Sequence, residues 1–131
     1  MKKDLDSIIL TRQELAIMKV VWEMGTATVK DVCNTLSQSK PTAYTTVLTL
    51  MSILEEKGVL LHMRSGRAYL YRSLLSRDQA TRNQIRDLVA RFFDGRPERL
   101  IASVLETEAI APEQLVGLAN LIKPGEAHQV A

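Results

Sequence analysis

The sequence predicts a mainly helical chain broken once by a β-hairpin, and three observations carry that expectation. Apolar residues recur at i, i+3, i+4 and i+7 in stretches on both sides of residues 59–72, the spacing of a single buried helix face. Within residues 59–72 the period turns extended, in two short runs around Ser65-Gly66, as two strands and a tight turn would be written. Residues that open and close helices stand at the ends of the periodic stretches. Thr11, Thr28 and Ser76 precede Glu14, Asp31 and Gln79 by three places, and Gly25, Gly58 and Gly95 follow the last apolar positions.

A chain of 131 residues suits one domain, or two small ones that share a core or dimerise. With 46% hydrophobic and 24% charged residues, it is composed like an ordinary folded protein. No apolar run reaches the roughly 18–20 residues that span a bilayer, and Met1–Asp6 holds no apolar core of a secretory signal. Neither membrane insertion nor secretion is expected. The single cysteine, Cys33, cannot form an internal disulfide and fits a reducing cytoplasm. Residues 1–75 carry ten Lys/Arg against seven Asp/Glu, and residues 76–131 seven against eight. A mildly basic front and a near-neutral back suggest a DNA-facing part followed by an assembly part.

Residues 1–10 read as a loosely ordered lead-in until Ile8. The Thr11/Glu14 box then opens a first helix with Leu15, Met18 and Trp22 on one face, widened by Ile17 and Val21, and ending at Gly25. Trp22 is expected to be a core filler. A second helix follows Thr26-Ala27-Thr28, with Val29, Val32, Cys33 and Leu36 inward. Cys33 on that stripe is read as a small buried hydrophobe. A redox role would require exposure and a basic neighbourhood. The polar link Ser37–Pro41 leads into a third helix over residues 42–57.

The third helix is the informative one. Val47, Leu50, Met51 and Leu54 form its inner stripe, and the opposite ridge carries Thr45, Thr49 and Ser52, with Thr46 and Leu48 on the shoulders. A solvated face is ordinarily built from Glu, Lys, Gln or Arg, which are better helix formers. Short hydroxyls and methyls allow close approach to another polymer, bonding phosphates or base edges and touching thymine methyls. The alternative is a plain amphipathic core helix with poor helix formers outside. In the hairpin, Arg64 and Arg67 flank Ser65-Gly66 and are expected to face each other across the tip, a repulsion relieved by an anion such as the DNA backbone. Two arginines splaying into water is the plainer account. His62 has no second metal ligand at a useful spacing and is read as a half-exposed strand residue. The fold class is therefore a winged helix-turn-helix, three helices plus a β-hairpin wing, followed by a three-helix region.

That order of residues resembles the penicillinase-repressor family (BlaI/MecI type). The resemblance rests on Leu10–Leu15, Val21-Trp22, Ala27–Val29, Ala43–Leu50, Leu54–Gly58 and Gly66–Tyr71, and covers roughly residues 8–122. It implies a homodimeric bacterial repressor on a palindromic double-stranded DNA operator. It places the third helix in the major groove, with Thr45, Thr46 and Thr49 at the family's contact positions; Ser52 on the same ridge and Tyr44 at the start of the helix are further candidates. It also places Arg67, in the wing over residues 59–72, near the backbone, and the basic tip adds Arg64 as a candidate contact.

The remainder fits assembly on its own physics. Ser76–Gln79 opens a helix bearing Ile85, Leu88, Val89 and Phe92. Gly95-Arg96-Pro97 interrupts it, and a helix with Leu100, Ile101, Val104 and Leu105 follows. Ala111-Pro112 starts the last, with Leu115, Leu118, Ala119 and Ile122, ending at Lys123-Pro124-Gly125. Short helices cannot bury much surface alone, and two-fold dimerisation is the commonest remedy. The alternative folds them back on the winged helix in a monomer. The chain thus divides into a DNA-binding domain over 1–75, a dimerisation domain over 76–123 and a loose tail over 124–131.

Two departures from the family bear on signalling. Its copper-responsive members carry a C-terminal cysteine cluster, and this chain has no cysteine beyond Cys33, so a thiolate copper switch is not expected. Its β-lactam-responsive members are cut at an Asn-Phe bond by a membrane sensor protease. The aligned position is Ser103-Val104, a candidate cleavage region of altered sequence. No catalytic motif, metal-ligand set or phosphate loop is present, so neither an enzyme nor a cofactor is expected. The competing classes are a winged-helix protein-interaction module and a ligand-sensing regulator.

Overall fold

Thr11 and Glu14 open the first α-helix as the sequence anticipates. The Glu14 N–H donates to Thr11 Oγ1 at 3.1 Å, and the Thr11 N–H donates to Glu14 Oε1 at 2.9 Å, satisfying two backbone donors at the start of a helix. The computed structural model describes residues 4–122. Its helices are α1 (Arg12–Met24), α2 (Val29–Ser37), α3 (Tyr44–Glu56), α4 (Arg77–Phe92), α5 (Pro97–Thr107) and α6 (Pro112–Leu121). The strands β1 (Leu60–Ser65) and β2 (Ala68–Ser73) pair antiparallel between α3 and α4. The proposed tail over 124–131 lies outside the described residues.

Two compact units meet between Asp87 and Leu88. The first holds α1–α3, the hairpin and the start of α4, around one apolar cluster. Ile17, Met18, Val21, Val32, Val47, Met51, Leu54, Val59 and Leu60 are all essentially inaccessible, each contributing about 1.5–3 kcal/mol by leaving water. The α1 stripe differs from expectation. Ile17, Met18, Val20 and Val21 are buried while Leu15 and Trp22 are only partly so, because α2 and α3 both pack on α1 and turn its inner face toward them.

Trp22 is more than filler. Its Nε1–H donates to the Leu75 carbonyl at 2.8 Å and reaches Ser73 Oγ at 3.2 Å, pinning α1 to the exit of β2. Ala27 exchanges two backbone hydrogen bonds with Tyr71, at 3.0 and 2.8 Å, adding a one-residue third strand that no periodicity foretold. The lead-in is likewise ordered where described. Leu5–Ser7 form a 3-10 turn capped by Asp4, and Ile8 is buried. Asn83 on α4 holds this segment, donating to the carbonyls of Leu5 and Ile8 at 2.7 and 3.0 Å. The contact lies within the first compact unit, which includes α4 as far as Asp87.

The end of α3 sets the wing. It begins at Tyr44 rather than Thr42, since Ala43 is still extended. At its other end Gly58 takes φ 84°, the Gly58 N–H donates to the Glu55 carbonyl and the Val59 N–H to the Leu54 carbonyl. This is a Schellman closure, which needs a residue at ease in the left-handed region. Lys57, one residue earlier, reaches back to α1, its Nζ 2.7 Å from Glu14 Oε2.

Glu14 is buried, with its side chain 3% exposed. Burial raises its pKa, but the Lys57 ammonium and the Thr11 donors outweigh this and hold it below the usual carboxylate range. A depressed folded-state pKa means its stabilisation is complete above the unfolded value and is lost as pH falls through the folded one. Glu14→Gln should therefore destabilise the first unit by about 1–3 kcal/mol at neutral pH, and should flatten the loss of stability below about pH 4.3. Urea titrations at pH 7 and pH 3 check both, and an equal deficit at the two pH values would remove the ion pair from the account.

Candidate nucleic-acid interface

Burial of Val47, Met51 and Leu54, with Leu50 partly buried, fixes which side of α3 faces outward. That side carries Thr45, Thr49 and Ser52, all exposed, with Thr46 and Leu48 exposed beside them and Tyr44 at the first turn. The first charge on the ridge is Glu56, at the last helical residue.

The hydroxyls on this ridge differ from those elsewhere. Thr35, Thr81 and Thr107 donate to the carbonyl four residues earlier, at 2.8–2.9 Å, as helical threonines commonly do. Ser52 does the same to Leu48 at 2.9 Å, so its proton is occupied and only its lone pairs remain. Thr45, Thr46 and Thr49 make no side-chain hydrogen bond among the described residues. Their donors and acceptors are both available.

At its N-terminus α3 has no side-chain cap. Lys40, exposed in the link from α2, precedes it. The link is held from below, where Cys33 Sγ and Ser37 Oγ donate to the Thr42 carbonyl at 3.3 and 3.4 Å. Cys33 is thus a partly buried packing residue with an internal partner. Lys40 was not singled out by the periodicity, because it lies before the first helical turn; its charge beside Pro41 was the available signal.

The wing departs from expectation in register. Ser65 pairs with Ala68 and Arg64 with Tyr69, so the two turn residues are Gly66 and Arg67, not Ser65 and Gly66. Gly66 takes φ 62° at the first turn position, where a type II′ hairpin demands glycine. Arg64 and Arg67 therefore do not face each other, and no repulsion requires an intervening anion. Arg64 Nε–H donates to the Gly66 carbonyl at 3.2 Å, while Arg67 stands exposed in the turn itself. Both remain at the tip. The base of the wing is buried at Leu60 and Tyr71, and burial pushes the Tyr71 hydroxyl pKa up.

Sequence spacing also hid the brace between α3 and the wing. His62 Nδ1 lies 2.6 Å from Glu55 Oε2, and the ring meets Tyr69 edge-on at 4.7 Å between centroids. Glu55 and His62 flank the glycine closure, so only the reversal of chain direction brings them together. No group of three potential metal-ligating side chains occurs among the described residues.

The family model described as "Penicillinase repressor" matches residues 10–124. The chain belongs to that family. It is 30% identical over 115 residues to the transcriptional regulator BlaI of Mycobacterium tuberculosis, covering 87% of this chain and 83% of that one. It is 24% identical over 110 residues to the penicillinase repressor of Bacillus licheniformis, covering 84% and 86%. Among solved structures, the DNA binding domain of the repressor BlaI superposes with a TM-score of 0.52 at 29% identity, covering 60% of this chain and 93% of that one.

The apolar residues expected to serve assembly are mostly exposed. In the first unit Ile85 is exposed. In the second, Leu88 and Leu100 are partly buried, while Phe92, Ile101, Val104, Leu115, Leu118 and Ile122 are exposed. Neither α5 nor α6 has a buried residue. Ser103 and Val104 lie within α5.

Proposed function

We propose that this repressor-family chain acts in the cytoplasm as a homodimer on an inverted-repeat DNA operator. In this reading α3 enters the major groove, the β1–β2 wing lies against the backbone, and no reaction is catalysed. The observation that carries it is the set of unpaired hydroxyls of Thr45, Thr46 and Thr49 on an uncharged, exposed ridge. Threonine offers a donor, an acceptor and a methyl, which suits base edges and thymine. Lys40 and the uncapped amides of α3 suit phosphate. Tyr44 and the Ser52 lone pairs complete the proposed contacts, with Arg64 and Arg67 supplying sequence-independent attraction.

Dimerisation is supported by the second unit's inability to bury its own apolar side chains. Phe92, Ile101, Leu118 and Ile122 are each more than half exposed, an arrangement that marks an interaction surface. One winged helix makes half the phosphate contacts, and joining two on a palindrome gains the second at high effective concentration. Separating the protomers is therefore the efficient way to end repression. A membrane sensor protease cutting within residues 97–105 would do so. The Ser103–Val104 bond is helical, so cleavage there requires α5 to unwind first.

Three measurements test this reading. Thr49→Ala should weaken binding to the footprinted operator by roughly 1–3 kcal/mol while leaving random duplex nearly unaffected; equal losses would make Thr49 a backbone contact. Arg67→Ala should weaken both duplexes by similar factors and lower the salt slope by about one unit per lost phosphate contact, and an unaltered slope would take Arg67 out of the interface. Leu118→Asp places a carboxylate where burial is proposed, and should cost several kcal/mol of association. Sedimentation should then give a monomer with intact helical circular dichroism and a loss of operator affinity far exceeding that for random DNA. A persistent dimer would refute the assembly role of the C-terminal helices.

A further inference from the structure

An open groove of about 270 Å³ runs along α1 and the first half of α4. Leu10, Leu15, Trp22 and Ile85 give it apolar walls, and two cations, Lys19 and Arg77, line it with no carboxylate among the lining residues. Arg77 sits over the indole, its guanidinium carbon 5.8 Å from the ring centroid. Neither Lys19 nor Arg77 forms an ion pair among the described residues. The Trp22 N–H is already bonded to the Leu75 carbonyl, so what the indole offers the groove is its ring.

We infer that this groove is a binding site for a small amphipathic carboxylate, its apolar body against Leu10, Leu15 and Trp22 and its headgroup on Arg77 and Lys19. Charge complementarity decides the class. An apolar cleft rimmed by unpaired cations and free of acids favours a monoanion over a neutral or cationic ligand, and a guanidinium takes a carboxylate through two parallel hydrogen bonds. Size decides the scale. At about 270 Å³ the groove falls just below the range of drug-sized ligand pockets, which suits an acid of about ten heavy atoms.

The groove also has a route to function. α1 packs on α3, and α4 continues beyond Asp87 into the second compact unit. A ligand wedged between α1 and α4 alters how α4 leaves the winged helix, and with it the separation of two half-site readers in a dimer. This regulatory half rests on the operator-binding dimer proposed above; the binding site does not.

Trp22 is the sole tryptophan and reports directly on the groove. The full chain, without DNA, is titrated with 3-phenylpropionate and with its amide, followed by tryptophan emission and independently by calorimetry. The acid should bind saturably at one site per chain. The amide, and the acid with Arg77→Gln, should bind about tenfold more weakly or worse, with Arg77→Lys closer to wild type. An absence of saturable binding by both methods, equal affinity for acid and amide, or an unaffected Arg77→Gln variant overturns the site. An affinity that falls as protein concentration rises marks the groove as the seat of a second copy, and also overturns it. With the footprinted operator, saturating acid should change wild-type affinity several-fold and leave Arg77→Gln unchanged. Binding without that change overturns the regulatory half alone. Failure to prefer operator over random duplex defeats the repressor reading and leaves the site standing on the DNA-free titration.

Discussion

An ionised carboxylate almost shut off from water has to be surrounded by donors, and Glu14 is in that position. One oxygen takes the Thr11 N–H and completes the first turn of α1; the other takes the Lys57 ammonium at the far end of α3. The two helix ends are of opposite polarity, so an anion at the start of α1 and a cation at the end of α3 each lie where the helix dipole favours them. Fixing Lys57 fixes the residue before Gly58, and the glycine closure then sends the chain into β1. The direction of the wing relative to α3 therefore rests on a bond made across the core. The Glu55–His62 contact and the Tyr69 ring brace it from outside.

Rigidity on the inner side is what permits an unusual outer side. Residues Thr45, Thr46 and Thr49 are poor helix formers, and an isolated helix of this sequence would be marginal. Val47, Met51 and Leu54 supply the missing stability by burial, which frees the opposite ridge to be chosen for contact. Side chains proposed to read bases must be held in register by the scaffold beneath them, and here that scaffold is the buried stripe of α3.

The second unit follows different physics. Its helices are begun by Pro97 and Pro112 and separated by short turns, with Asp94 at φ 52° and Gly95 at φ 78° following the end of α4. Local signals are sufficient to form helices, but α5 and α6 leave large apolar side chains in water. In the dimer proposed above such a unit is completed by association, which ties its stability to protomer concentration. Anything that competes for those side chains is coupled to DNA affinity through the proposed dimer.

Helix starts and stops, the inner stripes of α2 and α3, the hairpin and the outward threonine ridge were legible in the sequence, because each depends on residues within a few positions of one another. Capping boxes and glycine closures are local geometry, and a 3.6-residue period needs no knowledge of the rest of the chain. Tertiary structure alone decided the Glu14–Lys57 pair, the Trp22 bond to Leu75, the Ala27–Tyr71 bridge and the burial of Asn83 against the lead-in, since these partners are separated by 43 to 78 residues. It also shifted the hairpin by one residue, placing Arg67 in the turn and Arg64 opposite Tyr69. Strand register there satisfies two demands at once, glycine at the first position of the turn and burial of Leu60 and Tyr71 at the hairpin's base, and the second is visible only once the hairpin is packed against the helices.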